Sequence, residues 1–218
     1  LPYDRSQRKR GEMERVIFAT GNEGKMREIR AILADTYPEI LSMREAGIET
    51  DAVEDGNTYE ENALIKARAV AAAASGELVL ADDSGLEIDC LGKEPGVHSA
   101  RYLGEDTPYS IKNAELIRRL EGVPEEERTA RFVCAIAAVL PDGRELTVRA
   151  AIEGRIGYEE RGANGFGYDP IFYVPEFGKT TAELTEEEKN QVSHRGKALR
   201  AMKTALEEVL KKDGEDAG

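Results

Sequence analysis

Nothing in this sequence is built to cross a membrane. No apolar run approaches the ~20 residues of a bilayer-spanning helix, and the first residues hold no signal-type apolar stretch, so the chain is expected to be cytoplasmic. Cysteine is scarce: Cys90 and Cys134 lie far apart, outside any CxxC spacing and beside strand-like runs, and are expected to be reduced core residues. No Cys/His set offers a zinc centre. Neither the P-loop nor the dinucleotide-binding glycine fingerprint occurs, and there is no internal repeat or low-complexity linker. Positive charge is short as well, with 30 lysines and arginines against 43 aspartates and glutamates and a net charge of -13. Such a molecule repels nucleic acid polymers and anionic lipid surfaces. A small anion stays admissible if its site carries its own cations or a metal ion.

What is present suffices for a core, since 40% of the 218 residues are apolar. The opening LPYDRSQRKRGE is polar and aperiodic, so residues 1–13 are expected to be a flexible leader, 14–211 a single domain and 212–218 a frayed tail. RVIFAT reads as a strand and GNEGK as a loop opening a helix with Met26, Ile29, Ile32 and Leu33 on one face. Thr58 caps a second helix that stops at Ser75-Gly76, and ELVLAD follows as a strand ended by Ser84-Gly85. Thr107-Pro108 starts a helix that ends at Gly122. ARFVCAIAAVL and ELTVRAAIEGRI flank PDGR as a long antiparallel hairpin, and a last helix spans about Ser193 to Lys211. Helices alternate with strands early and a hairpin comes late, which predicts an α/β fold with a mixed sheet.

Five stretches carry candidate chemistry. In ATGNEGK, two glycines and an asparagine between strand and helix let backbone N–H groups and Lys25 face an anion, although an ordinary tight turn has the same pattern. DAVEDGNTYEENALIKA gathers acids, Glu54 among them, at a helix start, with Lys66 a possible phosphate contact or a surface lysine. ADDSGL ends an apolar run in two carboxylates, Asp82 and Asp83, which alternation sends to opposite faces, so one of them is expected in a cleft. Hard oxygen ligands of this kind suit Mg²⁺ better than zinc. GANGFGYDPIF sets aromatic faces among glycines, suited to stacking a base with Asp169 as a polar reader. EKNQVSHRGKAL brings Lys189, Ser193, His194 and Arg195 to the entry of the last helix, where cations oppose the dipole and point to an anionic or electron-rich ligand.

Taken together, FATGNEGK, ENALIKA, LADDSGLEID, PGVHSARY, GFGYDPIF and EKNQVSHRGKAL resemble, in order, the motifs of the inosine triphosphate pyrophosphatase family, also called XTP/dITP diphosphatases. The resemblance implies an elongated mixed β-sheet flanked by helices, in two lobes with the active-site cleft between them, and a homodimer. It implies Mg²⁺-dependent hydrolysis of the α–β phosphoanhydride of ITP, dITP and XTP to the monophosphate and pyrophosphate. Carried over by position, Thr20, Gly21, Asn22, Glu23, Gly24 and Lys25 hold the triphosphate. Asp83 is general base and metal ligand, with Glu54 the second ligand, and Ser84 touches substrate. Phe166, Gly167, Tyr168 and Asp169 form the base pocket, Phe166 stacking on the purine, while Lys189, His194 and Arg195 complete the contacts.

Overall fold

The computed structural model describes residues 15–74 and 76–215. The expected leader therefore lies outside the described residues, as do residues 216–218. Seven strands form one sheet in the order β2-β1-β3-β4-β5-β6-β7. β1 (Arg15–Phe18), β2 (Glu39–Ser42) and β3 (Leu78–Ile88) run parallel, and β4 (Thr129–Val139), β5 (Glu145–Ile156), β6 (Phe172–Val174) and β7 (Lys179–Thr180) continue antiparallel. The expected mixed sheet and hairpin are present.

Connectivity decides where an opening arises. The chain steps outward from β1 to β2 through helix α1 (Glu23–Leu33), then back past β1 to β3 through α2 (Tyr59–Ala73). Crossovers of one hand in opposite directions place their helices on opposite faces. Accordingly Met26, Ile29 and Leu33 of α1 pack with Leu199, Met202 and Leu206 of α5 (His194–Glu215) on one face, and Ala63, Ala67 and Val70 of α2 cover the other. Burying each such Leu, Ile or Met side chain contributes about 1.5–3 kcal/mol. The β1–β3 ladder reaches Phe18 and Leu80, and Ala19 N still donates to Leu80 O at 2.7 Å before the chain leaves the sheet. A crevice opens there, at the switch point where ligands bind in parallel α/β sheets. A further apolar cluster, including Leu86, Leu116, Phe132, Ile152, Tyr168 and Phe172, packs α3 (Tyr109–Arg119) against the distal ends of the long strands.

Several sequence expectations need correction. β3 does not end at Ser84-Gly85; it continues through both aspartates to Ile88, paired with β4 as far as Ile88↔Ala130. Gly85 is a close-approach residue, because a Cβ there would lie 2.4 Å from Gly96 O and 2.7 Å from the Tyr59 ring. The last helix starts where expected, as α5 from His194, but runs on to Glu215, past Lys211; a separate short helix, α4 (Glu186–Val192) with a Thr185/Glu188 capping box, precedes it across Ser193. Thr107 does not cap α3; Pro108 holds the cap position and the Thr107 hydroxyl donates to Leu103 O. Thr58 does cap α2, accepting from Glu61 N at 3.1 Å. Cys134 is buried as expected, but Cys90 is exposed on a 3₁₀ turn. No described helix is long and apolar enough to cross a membrane.

Candidate active site

The turn after β1 is held by its own side chains. Asn22 caps α1 by accepting from Lys25 N at 3.0 Å, and its own N–H donates to Thr20 Oγ1 at 3.1 Å. Lys25 thus stands in the first turn of α1 and reaches across the crevice to Asp82, with Nζ 3.1 Å from Oδ1 and 3.0 Å from Oδ2. Asp82 is completely buried, which explains how a strand can carry a carboxylate through the core: Arg195 Nε meets it at 3.2 Å and Ser84 Oγ at 3.3 Å.

From there an alternating chain of buried charges runs beneath the cavity. Arg195 Nη1 donates to Glu28 Oε2 at 2.6 Å, Glu28 Oε1 pairs with Lys189 Nζ at 2.8 Å, and Lys189 donates to Asp169 Oδ2 at 2.6 Å. Three cations and three anions neutralise each other one for one, the arrangement that makes burial of each tolerable. Burial works to raise the Asp82 carboxyl, but Lys25, then Arg195 and Lys66, hold it well below the ordinary range. Glu28 behaves alike: burial raises it, and Arg195 and Lys189 bring it below its usual value. Lys25 is lowered, by burial foremost and against Asp82. His194, buried beside Arg195 and Lys189, is pushed well below the usual imidazole range and stays neutral.

Asp83 points the other way along the strand, toward α2. Burial raises its carboxyl, Lys66 opposes, and Glu54 adds to the rise, leaving it at about 6. Its Oδ2 is buried with no hydrogen-bond partner among the described residues. Lys66 Nζ sits 2.9 Å from Glu54 Oε1 and feels Asp82 and Asp83 together, so this one ammonium links the two sides of the crevice. The orphaned carboxylate oxygen and the neighbouring Glu54 fit a magnesium ion, which takes hard oxygen ligands and keeps several positions for water and phosphate. No group of three or more acidic, histidine or cysteine side chains converges among the described residues, so the protein offers a partial ligand set and not a cage.

The cavity beside this chain holds about 380 Å³, within the range of small-molecule sites. Of the site residues named from the sequence, Asn22, Gly24, Lys25, Ser84, Phe166, Gly167, Tyr168, Asp169, Lys189, His194 and Arg195 line it; Thr20, Gly21, Glu23, Glu54, Lys66 and Asp83 do not. One face of Phe166 receives Lys189 Nζ 4.7 Å from its centroid, and a Cβ on Gly24 would meet the ring at 3.1 Å. His194 stacks on Phe132 with centroids 4.8 Å apart.

Some roles differ from expectation. Asp169 is no free reader of a base, since Phe166 N, Thr181 Oγ1 and Lys189 occupy its oxygens at 2.9, 2.8 and 2.6 Å. Lys189 lies in the last turn of α4, where a cation suits the dipole, so the unfavourable placement applies to Arg195 but not to Lys189. Glu28, Ser99, Tyr109 and Phe132 escaped the sequence reading. Glu28 had a legible signal: an acid three residues after Lys25 and beside Ile29, at a position helical periodicity buries.

The Ham1 family model matches residues 16–205 of this chain. The dITP/XTP pyrophosphatase of Geobacillus kaustophilus is 49% identical over 201 residues, 91% of this chain and 97% of its own length. That of Bacillus subtilis is 47% identical over 195 residues, 89% of this chain and 98% of its own. Among solved structures, a HAM1 protein from Coxiella burnetii superposes with a TM-score of 0.79 at 40% identity, covering 90% of this chain and 100% of that one. The Staphylococcus aureus Ham1 protein gives 0.78 at 39%, covering 88% and 98%.

Proposed function

Since the chain belongs to the Ham1 family, we propose that it hydrolyses the deaminated purine nucleoside triphosphates dITP, ITP and XTP to the monophosphate and pyrophosphate, clearing them from the nucleotide pool. The observation that carries this reading is the placement, along one crevice, of an aromatic cavity, the N-terminal turn of α1 with Lys25, and a carboxylate raised to about 6.

The base enters the cavity against Phe166, and the phosphates run along the Asn22–Lys25 turn, where backbone N–H groups and the dipole of α1 receive them. Lys25 and Arg195 turn from Asp82 to phosphate oxygens, exchanging one anion for another. Asp83 takes the proton of the water that attacks the α-phosphorus; the bond from that phosphorus to the bridging oxygen breaks, and pyrophosphate leaves. With no metal ion beside it the Asp83 carboxyl lies near 6, ionised at neutral pH yet a better proton acceptor than an ordinary aspartate, and a bound Mg²⁺ would bring it down.

Four cations here, Lys25, Lys66, Lys189 and Arg195, already face five acids, Glu28, Glu54, Asp82, Asp83 and Asp169, so the site brings no surplus positive charge to a triphosphate. Asp83 with Glu54 would hold a Mg²⁺ ion brought in with the nucleotide, which would supply the missing positive charge and lower the pKa of a bound water.

Discrimination against adenine follows from hydrogen bonding: a donor meeting the 6-keto oxygen of hypoxanthine or xanthine meets another donor in adenine. Stranding that donor costs about 1–3 kcal/mol. The same reading makes the protein a cytoplasmic homodimer whose cleft lies between two lobes of one domain, which light scattering tests for the dimer. Incubation with dITP and Mg²⁺ is expected to release dIMP and pyrophosphate. Release of dIDP and orthophosphate overturns the proposed position of cleavage.

A further inference from the structure

Helix α3 takes no part in the phosphate end of the crevice, yet two buried polar side chains on it reach opposite walls of the aromatic cavity. Lys112 is 0% exposed and has no carboxylate in ion-pair contact among the described residues; its Nζ donates to Ala100 O at 2.8 Å and lies 4.7 Å from the Tyr109 ring centroid. A buried ammonium with one carbonyl and one ring for company is poorer for stability than an apolar side chain of that length. Asn113, 1% exposed, donates through Nδ2 to Gly167 O at 3.3 Å and to Glu160 Oε1 at 2.8 Å, while its Oδ1 is buried without a partner. Turning the amide over does not cure this, because Oδ1 would then face a carboxylate and a carbonyl. An amide that keeps one oxygen unsatisfied is retained for where its NH₂ points.

The remaining contacts close a ring around the cavity. Tyr109 sits edge-on to Tyr168 with centroids 5.1 Å apart, and the Tyr168 hydroxyl donates to Ser99 O on the far wall. Ser99 in turn is anchored by accepting from Leu86 N at 2.8 Å and donating to Gly96 O at 2.6 Å. Each wall is therefore tied to α3 by a side chain that does not itself line the cavity.

We infer, resting on the function proposed above, that Lys112 and Asn113 are positioning residues that set the width of the base cavity and so its choice among purines. Lys112 holds the Ser99–Ala100 wall and Asn113 the Phe166–Tyr168 wall. Guanine differs from hypoxanthine by one amino group on the ring edge, so a cavity that admits one and rejects the other depends on where its walls stand more than on any new contact.

The test assays wild type, Lys112→Met and Asn113→Ala with dITP and dGTP in Mg²⁺, alongside thermal melting. Each variant is expected to raise KM for dITP about tenfold, to keep kcat within about twofold, and to lose about tenfold of the preference for dITP over dGTP. Lys112→Arg is expected to restore most of that preference. A merely structural role lowers the folded fraction for both substrates alike and leaves their ratio unchanged, and an unchanged ratio overturns the inference. Should either variant fail to fold, Lys112→Gln or Asn113→Ser takes its place with the same expectation and the same overturning result. A wild type that leaves dITP intact overturns the proposed function and this inference together, whereas an active wild type whose preference survives the substitutions overturns this one alone.

Discussion

Asp82 and Asp83 are neighbours in sequence and opposites in circumstance. Asp82 faces α1 and α5, lies wholly out of water and is gripped by Lys25 and Arg195 within a chain of balanced charges. Asp83 faces α2, keeps one oxygen without a partner and has its carboxyl raised to about 6. A half-turn of the strand separates a carboxylate whose charge is fully answered from one whose charge is not. The answered charge serves structure and positions cations; the unanswered one is available to a proton or a metal ion.

Substituting each in turn separates the two most sharply. Asp83→Asn is expected to lower kcat for dITP by about 10²–10⁴, with a melting temperature at or above that of wild type because a poorly solvated charge is removed; steady-state kinetics and calorimetry check both. Asp82→Ala leaves Arg195 and Lys25 under-compensated and is expected to cost about 3–5 kcal/mol of stability, read by urea unfolding at pH 7. A result in which Asp83→Asn destabilises and Asp82→Ala does not would reverse the comparison.

The strand that carries both aspartates depends on Gly85. Gly85→Ala forces a Cβ against Gly96 O and the Tyr59 ring and is expected to cost about 1–3 kcal/mol, measured by the same unfolding titration. The smallest effect concerns acid. Glu28 has its carboxyl held below the unfolded value of about 4.3, so its contribution is present above that pH and is lost as pH falls through the folded value. Stability of the wild type should therefore drop below about pH 4, and Glu28→Gln should show a shallower drop in an acid unfolding series.

The elements read most easily were those whose residues answer to local rules. Asn22 and Thr58 announce helix starts by their capping chemistry, and PDGR between two alternating runs announces the hairpin. Strands β2, β6 and β7, of four, three and two residues, are too short to show a period, and only pairing with a neighbour makes them strands. EKNQVSHRGKAL announces a helix entry near Ser193, where α5 begins, yet α4 just before it spans only seven residues, too few to show a period. Of the site, the aromatic-glycine loop and the turn before α1 were legible as candidates. That Asp169 is consumed by Lys189 was not, since the two are twenty residues apart and meet by tertiary approach.

By itself the sequence determined the order of elements, the caps, the hairpin and the motifs that mark the family, because periodicity, turn chemistry and capping act over a few residues. Only the tertiary structure decided which aspartate is silenced and which is free, and that Glu28 is the hub between Arg195 and Lys189. The physical reason is that desolvation and ion pairing depend on which groups arrive at the same point in space, and the crevice where they arrive exists only once the chain has crossed the sheet in both directions.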